Sequence, residues 1–74
     1  MQFHYTRHIQ KRIRQRELIA EQIEETVAHP DHSERSHGER HLARKRFRDK
    51  ILTVVYRREG LRIVLITAYW YEEG

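Results

Sequence analysis

The chain contains no cysteine, so neither a disulfide framework nor a cysteine-based zinc site is open to it. No apolar run approaches the roughly 20 residues that a membrane span needs. The opening Met1-Gln2-Phe3-His4-Tyr5 lacks the apolar stretch of a secretory signal. These absences point to a cytoplasmic protein with no membrane partner. No Gly-rich phosphate loop and no serine-nucleophile motif is present, and nothing in the chain asks for a cofactor. No internal repeat and no low-complexity tract divides it.

What is present is short and charged. A chain of 74 residues reads as one domain over 1–74. Such a domain buries only about 60% of its unfolded surface, so its core is marginal, and small cores are often helped by a partner or a second copy. A homodimer is therefore open. Net charge is +4, and its distribution says more than its total. Arg7, Lys11, Arg12, Arg14 and Arg16 form one acid-free stretch; Arg40, Arg44, Lys45, Arg46, Arg48 and Lys50 form another, interrupted by Asp49 alone. Glu17, Glu21, Glu24 and Glu25 lie between them. Two basic zones parted by an acidic block suit a shaped polyanion site, with a solvated charged face as the plainer reading.

Hydropathy patterning sets the expected elements. Phe3 and Tyr5 with alternating polar neighbours predict a short first strand. Thr6 is a fitting N-cap for a helix from Arg7, with Ile9 and Ile13 as its apolar stripe. Ile19, Ile23 and Val27, again four apart, predict a second helix that Pro30 ends. No Gly or Pro marks a break between Gln15 and Leu18, so one kinked helix competes with two. Residues 31–39 read as a polar loop with a short strand near His32–Ser36. Strands then fill the chain: the basic Arg40–Arg48 segment, Ile51–Tyr56 and Leu61–Trp70, rich in β-branched and aromatic residues. Arg57-Arg58-Glu59-Gly60 reads as the hairpin loop between the last two. Apolar residues on both faces of the last strand mark it as central and covered on each side, at least in part. Ile9, Ile13, Ile23 and Val27 are expected to pack on Val54, Ile63, Leu65 and Ile66. The expected fold is α+β: a short N-terminal strand, two helices or one kinked helix, then a three- or four-stranded antiparallel sheet with the helices on one face.

Six histidines raise a metal site. His4 and His8 are four apart, as are His37 and His41, while His29 and His32 are three apart. Yet His4 falls in a strand, the later group falls mostly in a loop, and no His-Glu-x-x-His motif occurs. No metal is assigned. Tyr69, Trp70 and Tyr71 make an aromatic cluster suited to base stacking or to a protein interface. Core packing is expected to take at least one of the three, Trp70 before the others.

Several short motifs carry a family resemblance. They are Thr6-Arg7-His8 with the spaced pair Arg12 and Arg16, His29-Pro30-Asp31 at the helix end, Val54-Val55-Tyr56, and Ile66-Thr67-Ala68-Tyr69-Trp70. In their order and spacing they resemble the RelE/ParE-like toxin superfamily. The closer likeness is to its small branch catalogued as domain of unknown function 4258, related to the BrnT-type toxins. Glu17 stands where that branch commonly has glycine, and Ile19 where it commonly has a Ser or Thr cap. The resemblance implies a RelE-like fold. It further implies a toxin of a type II toxin–antitoxin pair that cleaves RNA, ribosome-bound mRNA included, and is held by a cognate antitoxin protein.

Such cleavage, by attack of the RNA's own 2′-hydroxyl, needs a base, an acid and positive charge at the phosphate. Histidine exchanges protons near neutral pH, so His8 is the candidate base or acid, or else a structural histidine closing the first helix on the sheet. Arg12, one turn on, is a candidate for bidentate phosphate contact or for a fold-stabilising ion pair. Lys45 and Tyr56 complete the catalytic candidates, Tyr56 competing with a core or rim role. Arg40, Arg44, Arg46 and Arg48 are the candidate nucleic-acid contacts on the basic strand. A noncatalytic interaction module of the same fold, and a noncatalytic RNA binder, are the competing functions.

Overall fold

The computed structural model describes residues 1–72. Its elements are β1 (Gln2–Tyr5), α1 (Arg7–Arg16), α2 (Ala20–Ala28), β2 (His32–Arg35), β3 (Arg40–Phe47), β4 (Lys50–Glu59) and β5 (Arg62–Glu72). The fold is α+β, as expected. Strands β2 to β5 are successively antiparallel, and the sheet order is β1-β5-β4-β3-β2. The first strand joins the far edge in parallel, pairing Phe3 with Ile63 and Tyr5 with Leu65. It covers β5 only from Arg62 to Leu65, and among the described residues no strand pairs with that edge from Ile66 onward.

Thr6 ties the start of α1 to the sheet. In extended backbone, its side chain accepts the Ile9 amide as an N-cap. The same hydroxyl donates to the Leu65 carbonyl at 2.8 Å. From there Ile9 is fully buried and Ile13 packs at the rim of the core. The first helix ends at Glu17, whose left-handed backbone (φ 53°) sends its N–H to the Ile13 carbonyl. That conformation resolves the open question in favour of two helices, and it is the position for which glycine is the ordinary choice.

Ile19 differs from its expected role. It is the N-cap of α2, makes no side-chain cap bond, and is 49% exposed rather than part of the apolar stripe. Ile23 and Val27 carry the stripe, with Leu18 joining them from the linker. Pro30 follows the last helical residue by two positions, consistent with its stop role.

The inner face of the sheet meets both helices. Ala43, Leu52, Val54, Tyr56, Ile63, Leu65 and Ala68 form one buried cluster with Ile9, Leu18, Ile23 and Val27. Tyr5 borders it and bonds the Glu24 carboxylate. Burial first, then that bond and the charges of Glu24 and Glu21, raise the Tyr5 phenol above its ordinary range. Among the described residues no helix covers the outer face, so β5 is shielded there by neighbouring side chains alone. Val64 and Thr53 are nonetheless buried on it.

Two further expectations need correction. Strand β4 runs through Arg57, Arg58 and Glu59, and the hairpin turn is Gly60-Leu61. Gly60 has φ 63°, at the first turn position where type II′ hairpins favour glycine. A β-bulge also interrupts β4–β5: Tyr56 pairs with Leu65 but Val55 pairs with Thr67. Ile66 is the extra residue, and it is half-buried rather than core.

Candidate functional site

Where β1 stops, α1 packs along β5 instead. His8, Arg12 and Arg16 follow one another at four-residue steps and so share one helix face. That face borders Thr67, Tyr69 and Trp70 on β5, and Lys50 enters from the start of β4. Together these seven residues line a groove of about 540 Å³. His8 Nε2 lies 3.2 Å from the Thr67 hydroxyl, a contact that orients the ring in either tautomer. Phe47 meets the Trp70 ring edge-on at 5.9 Å and holds it from behind.

The groove's chemistry follows from its lining. Arg12, Arg16 and Lys50 bring fixed positive charge, and no carboxylate is among the described lining residues. His8 is exposed and reachable, Arg12 half-buried. One proton-exchanging ring, two guanidiniums, an ammonium and two aromatic faces can hold a phosphate with a base beside it. Among the described residues no three His, Asp or Glu side chains gather as a metal site would require.

The other candidates from the sequence lie elsewhere. Lys45 points to the inner side of β3, where its ammonium donates to the His29 carbonyl at 2.8 Å and faces Asp31 at 3.9 Å. Asp31 also accepts the Arg46 amide at 2.8 Å. Lys45 thus sits in a latch that fastens the end of α2 to the sheet. Tyr56 is 4% exposed and stacks on His41 at 5.3 Å, with the Arg58 guanidinium 5.9 Å from its ring. Neither borders the groove. On β3 the residues of the basic stretch alternate. Arg40, Arg44 and Arg46 take the outer face, Arg44 with Glu34 at 3.6 Å, while Arg48 occupies the following turn with φ 63°.

Of the early candidates, then, the groove unites His8 and Arg12. It adds Arg16, Lys50, Thr67, Tyr69 and Trp70. The helical three were legible from spacing alone, since 8, 12 and 16 form one stripe. The strand residues needed the pairing of Leu52 with Trp70 and of Thr53 with Tyr69, which depends on the bulge.

The family model described as "Domain of unknown function (DUF4258)" matches residues 5–70. No curated protein and no solved structure matches the chain.

Proposed function

The chain belongs to the DUF4258 family, and from that premise we propose that it is an RNA-cleaving toxin of a toxin–antitoxin pair, acting in the cytoplasm through the α1–β5 groove. The observation that carries the reading is the meeting of His8 and Arg12 with Arg16, Lys50 and two aromatics in one groove. The RelE-like motif order of the sequence adds to it.

In this reading His8 takes the proton from a 2′-hydroxyl as its oxygen attacks the adjacent phosphorus. The bond from phosphorus to the 5′-oxygen breaks, and that oxygen is protonated as it leaves. The products are a 2′,3′-cyclic phosphate and a 5′-hydroxyl. Arg12 and Arg16 stabilise the charge that gathers on the phosphorane oxygens. Lys50 and Tyr69, which line the groove, take the proton-donor role in this reading in place of Lys45 and Tyr56, which do not border it. Ribosome-bound mRNA and free single strands both satisfy this chemistry, and a cognate antitoxin would have to cover the groove.

The test is incubation of the purified chain with single-stranded RNA, with and without ribosomes, and analysis of product ends. Cyclic phosphate ends are expected, unaffected by EDTA. His8→Ala should lower the rate about 10²–10⁴-fold without loss of fold. Intact RNA under all conditions would sink the reading. Binding without cleavage would favour the noncatalytic RNA binder, and neither would favour the interaction module, for which the uncovered outer sheet face is the available surface.

A further inference from the structure

We infer that the outer face of the sheet carries a nucleobase subsite, a cavity of about 430 Å³ lined by Arg44, Ile51, Thr53, Tyr69 and Tyr71, which seats an unpaired base of the same RNA strand that enters the α1–β5 groove. This rests on the RNA reading above and extends it to a second site.

The cavity arises from strand register. Arg44 lies opposite Thr53, and Thr53 opposite Tyr69, so three adjacent strands set a small residue between two large ones. Ile51 opposite Tyr71 makes the next row. The short threonine is the floor and the larger side chains are the walls. Tyr69 and Tyr71 are 44% and 56% exposed. They are two residues apart on one face, so their attachment points are about 6.8 Å apart. That is about twice the 3.4 Å step of stacked bases, room for one planar ring.

Two observations point to a ligand rather than to surface relief. The Thr53 side chain is fully buried, yet its hydroxyl has no hydrogen-bond partner. Buried polar atoms without partners are rare in native folds. Tyr69 also lines both this cavity and the basic groove, so the two sites are contiguous across β5. A strand with its phosphate against Arg12 and Arg16 has only to pass Tyr69 to lay the next base on Tyr71. Arg44 keeps donors beyond its 3.6 Å contact with Glu34, and these suit either a base edge or the following phosphate.

The test uses short fluorescein-labelled oligo-A, oligo-C and oligo-U with the full chain at low salt. Tyr71 is more than half exposed, so Tyr71→Ala should fold, which a melting curve confirms. Wild type is expected to bind all three. Tyr71→Ala should weaken binding about 5- to 150-fold, the loss of one stacked base, and Tyr71→Phe should retain it. Thr53→Val should alter the ranking of the three oligomers while leaving the melting temperature in place. Equal binding by wild type and Tyr71→Ala overturns the subsite and leaves the groove reading standing. Failure of wild type to bind any oligomer removes both. A concentration-dependent dimer that Tyr71→Ala dissociates, with no change in RNA affinity, would instead assign this face to a second copy and overturn the inference.

Discussion

The two basic stretches of this chain are similar in composition and opposite in use. Residues 7–16 form a helix, residues 40–47 a strand. The helix repeats every 3.6 residues, so His8, Arg12 and Arg16 collect on one face and border one groove. The strand repeats every two, so its cations are dealt to both sides of the sheet. Lys45 goes inward to the His29 carbonyl and Asp31, while Arg40, Arg44 and Arg46 go outward. Charge density alone therefore does not locate a site. The period on which the charges are hung does.

Breaking the helical stripe should have the largest effect. Arg12→Gln with Arg16→Gln is expected to slow RNA cleavage by about 10²-fold or more, with an unchanged melting temperature, since neither side chain is in the core. Single-turnover cleavage and thermal melting on the same sample check this. Loss of fold with loss of activity would make the stripe structural. The strand should respond the other way. Lys45→Ala is expected to cost about 1–2 kcal/mol of stability, because it removes a charge-assisted bond to a carbonyl, and to leave cleavage by the folded fraction intact. Should denaturant melts stay put while cleavage disappears, Lys45 belongs to the site after all. The smallest effect concerns where the helical period ends. Glu17 sits at φ 53°, a region costly to any side chain, so Glu17→Gly should raise stability by about 0.5–1 kcal/mol. A lower denaturation midpoint would show that the Glu17 side chain contributes more than its backbone strain removes.

Legibility in the sequence followed the same divide. Local signals are the legible ones: the Thr6 cap, the stop at Pro30, the stripes of Ile9 with Ile13 and of Ile23 with Val27. Each depends on residues within a turn or two. A residue's place is not legible where it depends on a distant strand or on which residue a helix starts from. Arg57-Arg58-Glu59 looked like loop because it is polar, yet sheet pairing with Arg62, Ile63 and Val64 draws it into β4. Ile19 looked like core because it is apolar and in phase, yet it precedes the helix. The groove was half legible for the same reason. Its helical half is a spacing, and its strand half is a register. Glu17, at the place where the family resemblance anticipated glycine, took the left-handed conformation without it, so a glycine-based rule would have missed the break.

The extra residue at Ile66 works as a parity switch. Before it, odd-numbered residues of β5 face the helices, as Ile63 and Leu65 do; after it, even-numbered ones do, as Ala68 and Trp70 show. Without that offset the alternation would run on unbroken. Thr67, Tyr69 and Tyr71 would then turn toward the core, and Trp70 would be left in solvent. With Ile66 in the chain, it is the bulge that keeps the indole packed within and both phenols available outside, and a Lys50–Trp70 neighbourhood exists only in one of the two settings. Deleting the Ile66 codon would remove the bulge and leave every later residue on its present face, because Leu65 and Thr67 already pair with the consecutive Tyr56 and Val55; straightening the strand with Ile66 kept in the ladder is what would turn its far half inside out.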